Sequence, residues 1–199
     1  MNIQQEYSSK KSEIQKRLKQ FKELPEKKYF SEFLFCLLTP QSNAQKCWQA
    51  VEELSELSTF TEKKVEEILR PKTRFYKTKT KYILSAPYLW RKEIKSKIRA
   101  DDPDWSRHWL IEVVKGMGMK ESSHFLRNIG FSNNKIAILD RHILKNLEKN
   151  KIIENTKIKS KKDYLEIEQK FLNFAKSINI PIDELDLLWW SQENGKIFK

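Results

Sequence analysis

The sequence predicts an all-α protein, and three observations support this prediction. Apolar residues recur at the three- and four-residue spacing of an amphipathic helix in nearly every segment. No stretch alternates apolar and polar residues in the manner of a half-buried strand. Turn and capping residues separate the periodic stretches, as Pro25 and Pro71 do by ending helices. The 199 residues contain no internal repeat and no low-complexity linker, and they suffice for one domain or two small lobes.

Five helices are predicted in the first half of the chain. They cover residues 3–21, 29–38, 44–57, 61–69 and 73–90. The inward face of the first would carry Tyr7, Ile14, Leu18 and Phe21. The second is strongly apolar, so we expect it to be the buried central helix. Thr61 stands where the fourth helix needs its N-cap.

The second half continues with helices joined by turns. A helix that begins near residues 101–104 leads into a turn with two glycines, and the helix after that turn closes at Gly130. A short apolar segment then ends at Asp140. Further helices are predicted at 141–148, 165–178 and 182–190, with a basic loop at 157–162.

Composition narrows the classes of partner and of cofactor. The net charge is +12, which implies a polyanionic partner, although a lysine-rich solvated surface is the alternative. Two cysteines, Cys36 and Cys47, and three scattered histidines exclude a disulfide scaffold, an iron–sulfur cluster and a convincing zinc site, so we expect no metal and no cofactor. No apolar run reaches the length of a membrane span, so we expect an intracellular, cytoplasmic protein.

The glycine turn is the most informative motif. Gly116 and Gly118 frame one residue between two helical stretches, and Lys120 follows in the first turn of the second helix. A hairpin of this kind exposes backbone N–H groups at a helix N-terminus, where a DNA phosphate can bind. A lysine there opposes the helix dipole by about 0.3–1 kcal/mol, which suggests a functional role for Lys120. The alternative is a plain helix–turn–helix connection.

Asp140 is the second candidate for chemistry. Aspartate is a favoured N-cap, and a cap also fixes the position of its carboxylate. An uncharged lysine amine can attack C1′ of a nucleotide and expel the base, while a carboxylate stabilises the cationic sugar. Arg141 and His142 lie in the same first turn, either to meet DNA phosphate or as ordinary surface residues.

Several segments resemble the helix–hairpin–helix DNA glycosylases, and most closely the archaeal-type 8-oxoguanine DNA glycosylase/AP lyases. The two central ones are KGMGMKESSHFLRNIG at 115–130 and AILDRHI at 137–143. The others are FCLLTPQ at 35–41, RFYKTKTKYI at 74–83 and the end of the chain at 189–199. The resemblance covers most of the chain from about residue 30 onward.

This resemblance implies a fold and two catalytic residues. Lys120 would be the Schiff-base nucleophile, and Asp140 would be the catalytic aspartate. The active site would lie in a cleft between two helical lobes. The first lobe would be a six-helix barrel at 29–131 that ends in the helix–hairpin–helix at about 105–130, and the second would combine 1–28 with 132–199. Lys115 replaces the proline that often precedes the hairpin in this superfamily.

The resemblance also suggests residues that recognise the flipped base. Trp190 resembles the family's stacking residue, and the terminal Lys199 resembles a family feature that reaches the base pocket. Phe75 and Tyr76 would form the opposite wall. The alternatives are core packing for the aromatic residues and a frayed terminus for Lys199.

A turn before the third helix supplies candidates for the contact with the vacated site and the opposite base. These candidates are Gln41, Ser42 and Asn43. Simple helix capping accounts nearly as well for Asn43.

The resulting hypothesis is a monomeric, nucleoid-associated base-excision repair enzyme that needs no membrane. It would remove 8-oxoguanine from double-stranded DNA and cleave the strand at the abasic site by β-elimination. One alternative is a helix–hairpin–helix module that only binds DNA. The other is a related glycosylase for a different damaged or mismatched base.

Overall fold

The computed structural model describes residues 3–199, except for the side chains at 193 and 194. Ten α-helices occur in this range, and no strand does. They are α1 (Ile3–Lys22), α2 (Tyr29–Leu38), α3 (Ala44–Ser55), α4 (Glu62–Leu69), α5 (Tyr76–Leu89), α6 (Pro103–Val113), α7 (Met119–Asn128), α8 (Arg141–Lys149), α9 (Lys161–Ser177) and α10 (Ile182–Asn194). The all-α prediction is confirmed. Within the described range, no helix is both long and apolar enough to cross a bilayer.

Helix α2 is the centre of the first hydrophobic cluster. Seven of its ten residues are buried, which confirms its prediction as a buried central helix. Phe33 packs against Trp90 and Phe125, with ring centroids 5.7 and 5.8 Å apart, respectively. Helices α3 to α7 contribute the remaining helical side chains of this cluster.

A second hydrophobic cluster joins α1 to α8, α9 and α10. It buries Tyr7, Ile14 and Phe21, and Leu18 packs against it partly buried, which confirms the predicted inward face of α1. The rings of Phe171 and Trp189 stack with centroids 5.2 Å apart. The two clusters support a division into two lobes, whose boundaries at 28/29 and 131/132 stay a prediction.

Several helix boundaries differ from the sequence prediction for local reasons. Helix α9 begins at Lys161, because the side chains of Ser160 and Asp163 form a reciprocal capping box that shortens the basic loop. The predicted fifth helix ends as a π-helical turn at Trp90–Ile94, which follows Pro87 in α5. Thr61 precedes α4 in extended backbone, but its side chain makes no capping hydrogen bond.

Candidate active site

The glycine hairpin lies between α6 and α7, as predicted. Gly116 has a φ of +97°, and a Cβ there would lie 2.5 Å from the ring of Tyr82. Glycine is therefore required both by the left-handed backbone and by the close approach of α5. Gly118 is the N-cap of α7, and its N–H donates to Oε2 of Glu121 at 3.3 Å. The carboxylate of Glu121 thus occupies the N–H that opens α7, at the helix end where an anion is favoured.

Lys120 is accessible and has an acidic neighbour. Its side chain is 25% exposed, and its Nζ lies 3.0 Å from Oε1 of Glu121. The carboxylate of Glu121 suits the N-terminal turn of α7 and offsets the unfavourable position of the lysine cation. The side chain of Lys120 is therefore partly exposed, and its amine is held by a carboxylate of the same helix.

Two further lysines lie near the hairpin, and both are buried. The Nζ of Lys79 donates to the carbonyls of Leu38 and Pro40 and to Oγ of Ser42, at 2.7, 2.8 and 2.8 Å. These three bonds use every hydrogen of its ammonium group. Burial lowers the pKa of Lys79 to about 8, and the charge of Lys120 acts in the same direction. Lys79 thus holds a turn together and presents no free amine.

Lys199 is the other buried amine. It forms an ion pair with Glu32, and its Nζ lies 3.3 Å from the ring centroid of Trp48. Burial lowers the pKa of Lys199 to about 8, although the charge of Glu32 favours the ammonium form. At 6% exposure it is docked, which excludes the frayed terminus that was the alternative.

The last two residues complete an aromatic cluster. Phe198 stacks on Trp190 with centroids 6.3 Å apart and meets Phe35 edge-on at the same distance. The Nε of Arg17 donates to the carbonyl of Phe198 at 2.5 Å, which fastens the tail to α1. Trp190 is half-buried, whereas its neighbour Trp189 is a core residue.

Asp140 caps α8, as its position predicted. Its Oδ1 accepts from the backbone N–H groups of His142 and Ile143, both at 2.8 Å. Because one oxygen takes both bonds, the cap leaves Oδ2 for other partners. Burial raises the pKa of the nearby Asp186 carboxyl to about 7, and the negative charge of Asp140 acts in the same direction. Nε of Arg141, which is exposed, donates to the ring of half-buried His142 at 3.1 Å.

Of the three predicted DNA-binding residues in the turn at 39–43, two have structural roles. Ser42 is structural, because its Oγ accepts from Lys79 and from the backbone N–H of Arg74. Asn43 caps α3 by accepting from Lys46 N–H at 3.0 Å, which confirms the capping alternative. Gln41 remains exposed, with a φ of +53°. Strained backbone of this kind often marks a functional position.

The two predicted wall residues lie in different environments. Phe75 is 56% exposed and has a left-handed φ of +56°. Tyr76 instead packs, partly buried, against the first hydrophobic cluster and beneath the guanidinium of Arg70. Its surroundings therefore favour the packing alternative.

Sequence reasoning missed the roles of Lys79 and Glu32. Lys79 lies among several basic residues at 74–81, but it is four residues before the buried Ile83 and therefore on the inward side of α5. Glu32 is the one acidic residue in the apolar α2, and this isolation was a usable signal. In both cases the group that neutralises or binds the side chain is distant in sequence.

Comparisons with known proteins point to one family. A family model for 8-oxoguanine DNA glycosylase matches residues 14–180. An 8-oxoguanine DNA glycosylase/AP lyase of Fusobacterium nucleatum is 39% identical in an alignment 217 positions long, which covers 99% of this chain and 96% of the relative. The corresponding protein of Methanocaldococcus jannaschii is 36% identical, over 94% of this chain and 91% of its own.

Solved structures agree with the sequence relatives. The 8-oxoguanine DNA glycosylase of Thermotoga maritima superposes with a TM-score of 0.88 at 30% identity, over 99% of this chain and 96% of its own. The Methanocaldococcus jannaschii glycosylase/lyase, solved with a 15mer DNA containing 8-oxoguanine, gives a TM-score of 0.84 at 31% identity over 99% of both chains.

Proposed function

Because this chain belongs to the 8-oxoguanine DNA glycosylase family, we propose that it excises 8-oxoguanine from duplex DNA and then cleaves the strand at the abasic site. The observation that carries this proposal is the partly exposed side chain of Lys120 at the hairpin, beside two lysines that are buried and already bonded to Leu38 and to Glu32, respectively. An enzyme of this type needs one amine that a sugar can reach.

The chemistry follows from the placement of Lys120 and Asp140. Nζ of Lys120 gives up a proton, for which Oε1 of Glu121 is within reach at 3.0 Å. The neutral amine then attacks C1′, and the C1′–N bond breaks with its electron pair leaving on the base, which takes up a proton. The Asp140 carboxylate stabilises the positive charge that develops on the sugar. Its cap bonds hold it in place for this task.

The covalent intermediate accounts for strand cleavage. Ring opening of the sugar gives an imine between C1′ and Lys120, which makes the hydrogens on C2′ acidic. Loss of a C2′ proton expels the 3′-phosphate by β-elimination. Abasic-site DNA is therefore a second substrate of the same lysine.

Base recognition would take place at the docked C-terminal tail. The target nucleotide leaves the duplex, and its base stacks on Trp190 near Phe198. Lys199 supplies a polar contact that distinguishes 8-oxoguanine from guanine. Phe75 and Gln41, both exposed on strained backbone, would contact the duplex around the vacated site.

The DNA backbone would be held mainly by the hairpin. The hairpin at Gly116 and Gly118 would bind one phosphate group, with the carboxylate of Glu121 releasing the N–H of Gly118 as the phosphate arrives. Arg141 and His142 would contact another phosphate near Asp140. The +12 net charge adds a non-specific attraction to the duplex. A monomer associated with the nucleoid in the cytoplasm fits a repair enzyme of this kind.

Borohydride trapping tests the proposal directly. Wild-type protein is incubated with a duplex that holds one 8-oxoguanine, and sodium borohydride reduces any imine to a stable adduct. We expect an adduct for the wild type and none for Lys120→Gln, while Lys115→Gln, the matched control in the same hairpin, still forms one. A wild type that binds the duplex without forming an adduct or releasing the base would instead be a DNA-binding module only. An adduct that forms only on a duplex with a different lesion, and not with 8-oxoguanine, would identify a related glycosylase.

A further inference from the structure

A buried polar network joins the helix of Lys120 to the segment that ends at Asp140. Arg107 of α6 is fully buried, and its Nη1 and Nη2 donate to Oε1 and Oε2 of Glu168 in α9 at 2.5 and 3.0 Å. The same Nη1 lies 3.4 Å from Oγ of Ser123, which is one helical turn after Lys120 in α7. The network therefore links both helices of the hairpin to the second hydrophobic cluster.

Helix α9 also grips the backbone just before Asp140. Oε1 of Glu168 accepts from the N–H of Ala137 at 2.6 Å. The hydroxyl of Tyr164 donates to the carbonyl of Ala137 at 2.7 Å and accepts from the N–H of Leu139 at 3.1 Å. Three hydrogen bonds thus bind a segment that is neither helix nor strand, within three residues of the cap.

We propose that Tyr164 and Glu168 are positioning residues that fix the Asp140 carboxylate relative to the Lys120 amine. This inference rests on the proposed function. The backbone at 137–139 has no helical ladder of its own, so α9 supplies its bonding partners. Glu168 also binds Arg107, and Tyr164 interacts with Ser123 in α7. The same two side chains therefore fix the position of this segment relative to the helix that carries Lys120.

A misplaced aspartate would slow the chemistry without weakening DNA binding. A displacement of about 1 Å at a reacting group can cost about a hundredfold in rate. Neither Tyr164 nor Glu168 is exposed, so neither contacts the duplex itself. The loss should therefore appear in the rate at saturating enzyme and not in the dissociation constant.

The test compares Tyr164→Phe with Tyr7→Phe. Tyr7 is the matched control, because it is also buried in the second cluster and its hydroxyl donates to Oε2 of Glu184 at 2.6 Å, away from the 137–139 segment. Single-turnover excision of 8-oxoguanine is measured at saturating enzyme. We expect Tyr164→Phe to lose tenfold or more in rate, consistent with the positional sensitivity of catalysis. Tyr7→Phe should stay within about twofold, and both should bind DNA within about twofold of wild type.

A double-mutant cycle with Asp140→Asn separates positioning from general stabilisation. If Tyr164 acts through Asp140, its substitution should cost less than about twofold in the Asp140→Asn background. A full tenfold loss that persists there, or a Tyr164→Phe rate within twofold of wild type, would overturn the inference. Should Tyr164→Phe not fold, Glu168→Gln enters the same cycle with the same criteria. A wild type that excises no 8-oxoguanine would overturn the proposed function, whereas an active wild type with an unaffected Tyr164→Phe overturns the positioning role alone.

Discussion

Asp140 combines two roles that one substitution can separate. Its Oδ1 caps α8, and its charge is proposed to stabilise the cationic sugar. Asparagine caps a helix about as well as aspartate, whereas alanine would lose about 1 kcal/mol of cap energy. Asparagine removes only the negative charge.

Asp140→Asn is therefore expected to lower turnover by about a hundredfold, as removal of an electrostatic stabiliser commonly does. The unfolding midpoint should change little, because the cap survives. Single-turnover excision and thermal unfolding of the same sample measure the two effects. Near-normal turnover together with a large loss of stability would assign Asp140 to capping alone.

Lys199 gives the buried tail a characteristic pH dependence. Its pKa is about 8 in the folded protein, against 10.5 for the free side chain. Between these values the unfolded chain binds more protons than the folded one, so the free energy of unfolding rises with pH. Below pH 8 both states are protonated and the slope disappears.

We expect the stability of the wild type relative to Lys199→Met to rise by up to about 1.4 kcal/mol per pH unit between about pH 8 and 10. Chemical unfolding of both proteins across this range measures the difference. The other buried lysine, Lys79, contributes equally to both proteins. A pH-independent difference would mean that the amine of Lys199 is not desolvated.

Among the elements of the fold, the C-terminal tail is the one proposed to recognise the flipped base. Phe198 joins the aromatic cluster of Trp190 and Phe35, and Lys199 closes it by pairing with Glu32. Gly195 turns the chain after α10 with a φ of +71°. This turn brings two residues that follow a helix back onto the hydrophobic cluster of α2.

Removal of Phe198 and Lys199 is expected to reduce 8-oxoguanine excision at least tenfold more than cleavage at a pre-formed abasic site. An abasic site has no base to recognise, so it needs no pocket. Parallel assays on the two duplexes measure the ratio. Equal losses on both would indicate a defect in folding or DNA binding, and unchanged excision would make the tail dispensable.

The sequence predicted helices more accurately than the contacts between them. The bounds of α2 follow from its apolar run, and Asp102 and Asp140 cap α6 and α8 as short polar residues do. Lys120 and Asp140 also follow from local motifs. The pair of Arg107 and Glu168 could not be predicted in this way, because its members are 61 residues apart and resemble surface charges. The bond between Ser42 and Lys79 could not be predicted either, because these residues are 37 positions apart.

Over the whole molecule, basic residues outnumber acidic ones, so many lysines and arginines have no acidic residue to pair with. Lysines and arginines number 39, against 27 acidic residues. Several buried acids are already committed, such as Glu32 to Lys199 and Glu168 to Arg107. The excess therefore stays available to a polyanion, and it attracts DNA before any specific contact forms.

Affinity for undamaged duplex should fall steeply with salt, because log Kd should rise by about 0.9 for each log unit of salt and each phosphate contact. Two contacts already predict about a tenfold loss between 50 and 200 mM. Lys115 is exposed in the hairpin and would place its ammonium group on the phosphate held there, so Lys115→Gln should reduce this slope by about 0.9. Lys162→Gln, an exposed control that faces Glu166 in α9, should leave it unchanged. A salt-independent affinity would contradict backbone recognition.

Peptide mapping of the borohydride-reduced adduct identifies the nucleophile. The wild-type adduct is digested with a glutamate-specific protease, and the deoxyribose remnant is located by tandem mass spectrometry. The accessible Lys120 amine predicts that the remnant is attached to Lys120. A remnant on Lys79, on Lys199 or on the N-terminal amine would show that Lys120 is not the nucleophile.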